Sequence, residues 1–208
     1  MTDVQTTRRK PAYGDVMAPV GKAVRAANDF YLDSPEATEA LLRVERFSGL
    51  SWDPACGIGT IPKVFAAAGL KCWGSDIVDR GYPGATKQDF LNPDDAPGST
   101  GYFANIVSNP PFNLAQAFVD KALSIATHKV AMLLPLTFLE GTARARWRIT
   151  TPLARIRTFS WRISMPPGEM LQAGEVRATG GKKAFAWFIW DKGHQGPAHE
   201  IPLIKEAA

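Results

Sequence analysis

The chain has 208 residues and is 45% hydrophobic, enough for one well-buried α/β domain and too little for a catalytic domain beside a large recognition domain. A formal charge of +4 favours a polyanionic partner but does not decide for one. Two cysteines, Cys56 and Cys72, with neither a CxxC pair nor a Cys/His cluster, argue against a disulfide framework and a structural metal, and fit a reducing, cytoplasmic setting.

No run of about 18 apolar residues occurs, so no membrane partner is expected. Arg8-Arg9-Lys10 near the N-terminus precedes no apolar stretch and does not form an export signal. Residues 1–12 are polar, end near Pro11 and are expected to be a flexible tail, with 13–208 as a single domain.

Asp33-Ser34-Pro35-Glu36, ahead of an apolar stripe through Ala37, Ala40 and Leu41, predicts a capped helix beginning near Pro35. Leu50-Ser51-Trp52-Asp53 predicts a strand, Pro54 to Gly59 a tight loop, and Val64 to Ala68 a helix closed by Gly69. Lys71 to Ile77 predicts the second strand, with an acid at its end and a Gly81-Tyr82-Pro83-Gly84 turn behind it. Asn105-Ile106-Val107-Ser108 runs into Asn109-Pro110-Pro111-Phe112, whose prolines forbid a continuing ladder. A helix over 114–126 follows, then the continuous apolar run Val130 to Leu134 of a strand buried on both faces.

A basic helix over 141–150 and two late strands, Ile156 to Trp161 and Ala184 to Trp190, close the pattern. The separator over 165–183 is long for a compact domain and is a candidate substrate loop. Strands alternating with helices predict a mostly parallel, Rossmann-like sheet with an antiparallel hairpin at one edge, and a ligand at the carboxyl ends of the strands. Six arginines (Arg144, Arg146, Arg148, Arg155, Arg157 and Arg162) fall in a stretch without an acid. They read equally as a phosphate-tracking surface and as a solvated face.

The loop Asp53-Pro54-Ala55-Cys56-Gly57-Ile58-Gly59 puts glycines where backbone must come close to a ligand. A dinucleotide site would want a third glycine at position 62, where this chain has Pro62. A cofactor without pyrophosphate suits the site better. Asp53 is placed to hold a cationic amino group, and Asp76, at the end of the next strand, to accept two ribose hydroxyls. The plainer reading makes both of them strand-end turn acids.

DPACGIG is similar to the first motif of class I S-adenosylmethionine-dependent methyltransferases, and NPPF to the fourth motif of those that modify amino groups. The whole pattern resembles small phage and prophage adenine-N6 DNA methyltransferases. The resemblance implies a seven-stranded class I fold with S-adenosylmethionine as cofactor. It also implies a cofactor site built from Phe30, Tyr31 and Thr38 with the looser Asp29 segment, Asp53, Ala55, Cys56, Gly57 and Gly59, then Asp76 and Ile77, Asp89 and Phe90 at the adenine, and Asn109.

Methyl transfer to a planar amine requires acceptors that grip its N–H groups and steer a delocalised lone pair toward the methyl. The Asn109 side-chain oxygen and the Pro110 carbonyl can each take one hydrogen, Pro111 holds that carbonyl in place, and Phe112 can stack on the target ring. The alternative is a strand-terminating Asn-Pro-Pro turn with Phe112 in the core. Adenine in nucleic acid, DNA ahead of RNA, is the expected substrate. A protein glutamine amide poses the same problem to the same tetrapeptide, and a non-catalytic cofactor-binding regulator is the third reading. His128, His194 and His199 have no nucleophile or ligand pairing, Trp187 and Trp190 read as sheet packing, and Cys56 as a small wall rather than a nucleophile.

Overall fold

In the computed structural model the described residues are 30–95, 101–168, 174 and 183–205. The tail over 1–12, Asp29 and most of the 165–183 separator lie outside them. The described residues form a three-layer α/β sandwich around one sheet of eight strands.

The strands are β1 (Ser51–Asp53), β2 (Cys72–Asp76), β3 (Thr86–Lys87), β4 (Asn105–Ser108), β5 (Lys129–Pro135), β6 (Leu153–Thr158), β7 (Phe185–Asp191) and β8 (His199–Glu200). Their order across the sheet is β3-β2-β1-β4-β5-β7-β6-β8. From β3 to β5 all pairings are parallel. β7 then runs antiparallel to both neighbours, from Lys129 opposite Asp191 to Pro135 opposite Phe185 on one side and along β6 on the other.

The expected antiparallel pair is therefore present, but β7 lies inside the sheet. The edge is taken by the two-residue β8, parallel to β6 and additional to the seven strands expected. β6 also begins earlier than the sequence pattern predicts, because Leu153 and Ala154 are buried and the chain leaves the sheet after Thr158. Phe159 keeps only an isolated bridge to Leu203.

Side chains alternate across the two faces, as a period of two requires. Val130, Met132 and Leu134 of β5, with Ala186, Phe188 and Trp190 of β7, face helix α3 (Ala115–Ile125). Ala131 and Leu133, with Phe185, Trp187 and Ile189, face α1 (Pro35–Val44) and α2 (Thr60–Ala67). Both faces are covered, which is why these strands read as unbroken apolar runs. Trp187 donates from Nε1 to the Ala37 carbonyl at 2.9 Å and Trp190 to Thr151 Oγ1 at 2.9 Å, so each indole N–H is satisfied inside the packing. A fourth helix, α4 (Thr142–Arg148), follows β5. Ser34 occupies the N-cap position of α1, but its side chain makes no capping bond, and Pro35 begins the helix. No helix among the described residues is long and apolar enough to cross a membrane.

Candidate active site

The carboxyl ends of β1, β2 and β4 open on a cavity of about 330 Å³. Its wall includes Ala55 and Gly57 from the loop after β1, Asp76 and Ile77 at the end of β2, Asp89 and Phe90 after β3, and Asn109 and Pro111 after β4. Phe30, Tyr31 and Asp33 close it from the segment that enters α1. Five sequence-distant segments thus meet at the position where a parallel sheet binds its ligand.

Asp76 anchors the loop after β1. Its Oδ2 accepts from the Gly57 N–H at 2.9 Å and its Oδ1 from the Val78 N–H at 3.0 Å. Gly57, at φ +54°, lines the cavity, and a Cβ there would stand 3.0 Å from the Phe30 ring. Gly59 does not line it. At φ +80° it is the N-cap of α2, and an added Cβ would come within 2.2 Å of the Tyr82 ring. Packing under Tyr82 and the positive φ are therefore enough to demand the second glycine.

Three more of the expected cofactor residues stand behind the wall. Thr38 is buried within α1, and Cys56 is buried against Gly74. Burial, then the charges of Asp53 and Asp76, push the Cys56 thiol up, so it is no thiolate nucleophile. Asp53 is fully buried behind Pro54 and Ala55, with Oδ1 accepting from Ser108 Oγ at 2.7 Å and from the Ala55 N–H at 3.2 Å. Its Oδ2 is buried without a hydrogen-bond partner among the described residues. Burial first, then Asp33, pushes this carboxyl well above the usual carboxylate range, so its charged form requires a nearby cation.

Asn109 lines the cavity and has a partner that the sequence does not reveal. Its Nδ2 donates to Asp33 Oδ1 at 2.7 Å and touches the Met165 sulfur at 3.8 Å, while Oδ1 is buried with no hydrogen-bond partner among the described residues. Pro110 is buried. Phe112 does not line the cavity: its ring stacks on Tyr31 at 5.8 Å and 18° and tilts against Phe185 at 5.7 Å. Tyr31 thus covers one face of the ring expected to receive a target base.

Arg80 is a site residue the motifs did not indicate. Its guanidinium lies 3.6 Å over the Phe30 ring, and its Nε is 3.8 Å from Asp76 Oδ1. The available signal was its position four residues after Asp76. Leu114 and Phe118, at the start of α3, complete an apolar wall facing Ile77 and Phe90. Asp89 accepts the Leu91 N–H through Oδ1 at 2.9 Å. Among the described residues no group of three or more His, Cys, Asp or Glu side chains could hold a metal ion.

The six-arginine stretch divides in space. Arg155 and Arg157 both bind the buried Glu45 carboxylate, with the closest contact 2.6 Å from Arg155 Nε, and Lys129 Nζ joins at 3.3 Å. Arg144 lies over the Phe138 ring and donates to the Thr137 carbonyl, and Arg148 donates to the Leu139 carbonyl. Arg146 and Arg162 are exposed.

No family model matches the sequence, and neither does any curated protein. Solved structures do. Magnesium protoporphyrin IX methyltransferase from Synechocystis PCC 6803, with bound S-adenosylmethionine, superimposes with a TM-score of 0.52 at 15% identity, over 76% of this chain and 77% of that one. The 23S rRNA methyltransferase ErmE gives 0.52 at 17% identity over 79% and 70% of the two chains. A dimethyladenosine transferase from Plasmodium falciparum gives 0.50 at 12% identity over 78% and 64%. At such identities the likeness establishes the fold, that of class I methyltransferases.

Proposed function

We propose that this protein transfers a methyl group from S-adenosylmethionine to the exocyclic amine of adenine in nucleic acid, DNA ahead of RNA. The observation that carries the reading is Asn109, which lines the cavity that Asp76 and the loop after β1 enclose and whose buried Oδ1 has no hydrogen-bond partner among the described residues.

The residues present fit the cofactor. Asp76 offers carboxylate oxygens at the β2 end for ribose hydroxyls, and Ile77, Phe90, Leu114 and Phe118 offer apolar walls for a purine, with Asp89 beside them. The unpartnered Asp53 Oδ2 has the chemistry to receive a cationic amino group once the loop lets it approach. When bound, S-adenosylmethionine supplies the electrophilic methyl.

The chain's own contribution is to orient the acceptor nitrogen. Asn109 Oδ1 takes one N–H of the target amine and the Pro110 carbonyl takes the other, which turns the lone pair toward the methyl as the nitrogen becomes tetrahedral. A target base inside a duplex has to leave the stack to reach this cavity. Phe112 receives its ring if Tyr31 moves off the face it covers.

Nucleic acid is favoured over a glutamine amide by the +4 charge and by the exposed Arg146 and Arg162. Two structures that share the fold are named for rRNA and for dimethyladenosine. DNA is placed ahead of RNA on the resemblance of the DPACGIG and NPPF pattern. The test is incubation with methyl-labelled S-adenosylmethionine and a panel of DNA, RNA and a translation release factor, followed by nucleoside and amino-acid analysis. Label in N6-methyladenine from DNA is expected. Label only in glutamine or only in RNA would replace the substrate, and no label in any arm would leave the regulator reading.

A further inference from the structure

A carboxamide has an oxygen and an NH2 group of nearly the same shape, so shape alone does not decide which of them Asn109 turns into the cavity. The methyl-transfer reading needs the oxygen there, because an NH2 group would meet the target amine donor to donor. The Asn109 orientation is therefore a functional variable, and the structure contains a group that sets it.

Asp33 lies 76 residues earlier, in the extended segment before α1, and its Oδ1 is 2.7 Å from Asn109 Nδ2. An ionised carboxylate accepts and cannot donate, so Nδ2 must face it and Oδ1 is left turned away from it, buried and without a partner among the described residues, on a side chain that lines the cavity. We propose that Asp33 is a positioning residue for Asn109, holding the amide with its oxygen toward the target amine, and that protonation of Asp33 releases this hold. The proposal rests on the methyl-transfer reading for its consequence, but the Asp33–Asn109 pairing stands on geometry alone.

The electrostatic surroundings make such protonation accessible. Burial, then the charge of Asp76, pushes the Asp33 carboxyl up to about 7, against the hydrogen bond from Asn109. The charged and titratable groups around it are Asp53 at the end of β1, Asp76 at the end of β2, and Arg80 beyond it, which is paired with Asp76. The contacts of Asn109 itself are Asp33 and the uncharged Met165 sulfur. A protonated Asp33 becomes a donor, and the buried Asn109 Oδ1 is an acceptor within reach of an amide flip, which would turn NH2 into the cavity. The three carboxylates that line the cavity, Asp33, Asp76 and Asp89, also favour a cationic ligand, whose binding shifts Asp33 back toward its ionised form.

Two measurements test this together. The first is the single-turnover rate of transfer to an adenine oligonucleotide at saturating S-adenosylmethionine from pH 5 to 9, for the parent and Asp33→Asn. The parent rate should fall as the pH drops through an inflection at or below about 7. Asp33→Asn should be slower by about tenfold at pH 8, the worth of a charge-assisted hydrogen bond, and should lack the inflection. The second is the side-chain amide resonance of Asn109 in the cofactor-free protein, assigned by its loss in Asn109→Asp. It should titrate with a midpoint near 7 in the parent and stay flat in Asp33→Asn. A variant with the parent's rate and inflection, or a parent amide that is flat from pH 5 to 9, overturns the proposal. Absence of transfer by the parent counts against the adenine reading instead, and the amide titration then decides the Asp33 pairing by itself.

Discussion

Glu45 offers the most quantitative test of how the sheet is held together. Its carboxylate is 3% exposed and accepts from Arg155 Nε at 2.6 Å, Arg155 Nη2 at 3.0 Å, Arg157 Nη2 at 2.9 Å and Lys129 Nζ at 3.3 Å. Burial alone would raise its pKa. The hydrogen bonds and charges of Arg155 and Arg157, with Lys129, outweigh burial and hold the carboxyl below its ordinary range. Glu45→Gln preserves volume but leaves three enclosed cations without their counter-ion, and removing one partner of a buried pair costs roughly 3–5 kcal/mol.

The lower end applies here, because Arg155 retains Asp191 at 3.3 Å and Lys129 retains the Arg46 carbonyl at 2.9 Å. About 3 kcal/mol in a chain of this size corresponds to a Tm lowered by roughly 6–12 °C. The pH dependence has a definite sign. A depressed carboxylate pKa contributes stability above its unfolded value, here 4.5, and loses it as the pH falls through the lower folded value. Urea midpoints of parent and variant should therefore differ by a constant amount near neutrality and converge below pH 4.5. A Tm change under about 2 °C at pH 7, less than 1 kcal/mol, or a difference that persists undiminished at pH 3, would refute the account of this cluster.

Gly59→Ala should destabilise the fold by about 2–4 kcal/mol, from left-handed strain plus overlap with Tyr82. The overlap part should be recovered in the Tyr82→Ala background, as read by denaturant titration. Asp76→Ala should weaken S-adenosylmethionine binding by roughly 1.5–3 kcal/mol in calorimetry, and unchanged affinity would remove it from the site. Replacing Arg146 and Arg162 together by Ala should reduce the slope of log affinity against log salt for duplex DNA by up to about 2. Arg157→Ala should instead lower stability and leave that slope alone, and a parent slope near zero would count against a nucleic-acid substrate.

Local chemistry made the loop after β1 and the tetrapeptide after β4 legible in the sequence. Gly57 needs its positive φ, Asp76 ends a strand, and the prolines after Ser108 stop a ladder, all of which short-range pattern reports. The continuous apolar run of β5 likewise announced a strand covered on both faces.

What stayed hidden depends on pairing across the chain. The acid-free arginine stretch suggested an open cationic surface, yet Glu45 reaches Arg155 from 110 residues away. Asp33 looked like part of a helix cap, and only the fold brings it to Asn109. Gly59 matched a ligand loop, but the ring that demands it belongs to Tyr82 in a later turn. The eighth strand is two residues long, too short for any period to show.

The central claim is that Asn109 grips the target amine, and chemistry separated from binding tests it most directly. Asn109→Ala and the parent are compared in single-turnover methyl transfer to adenine-containing oligonucleotides, with calorimetry of S-adenosylmethionine on both proteins. Loss of one preorganised transition-state acceptor predicts a transfer rate reduced about a hundredfold or more, with cofactor affinity nearly unchanged. An Asn109→Ala protein that methylates adenine at the parent's rate would contradict the account.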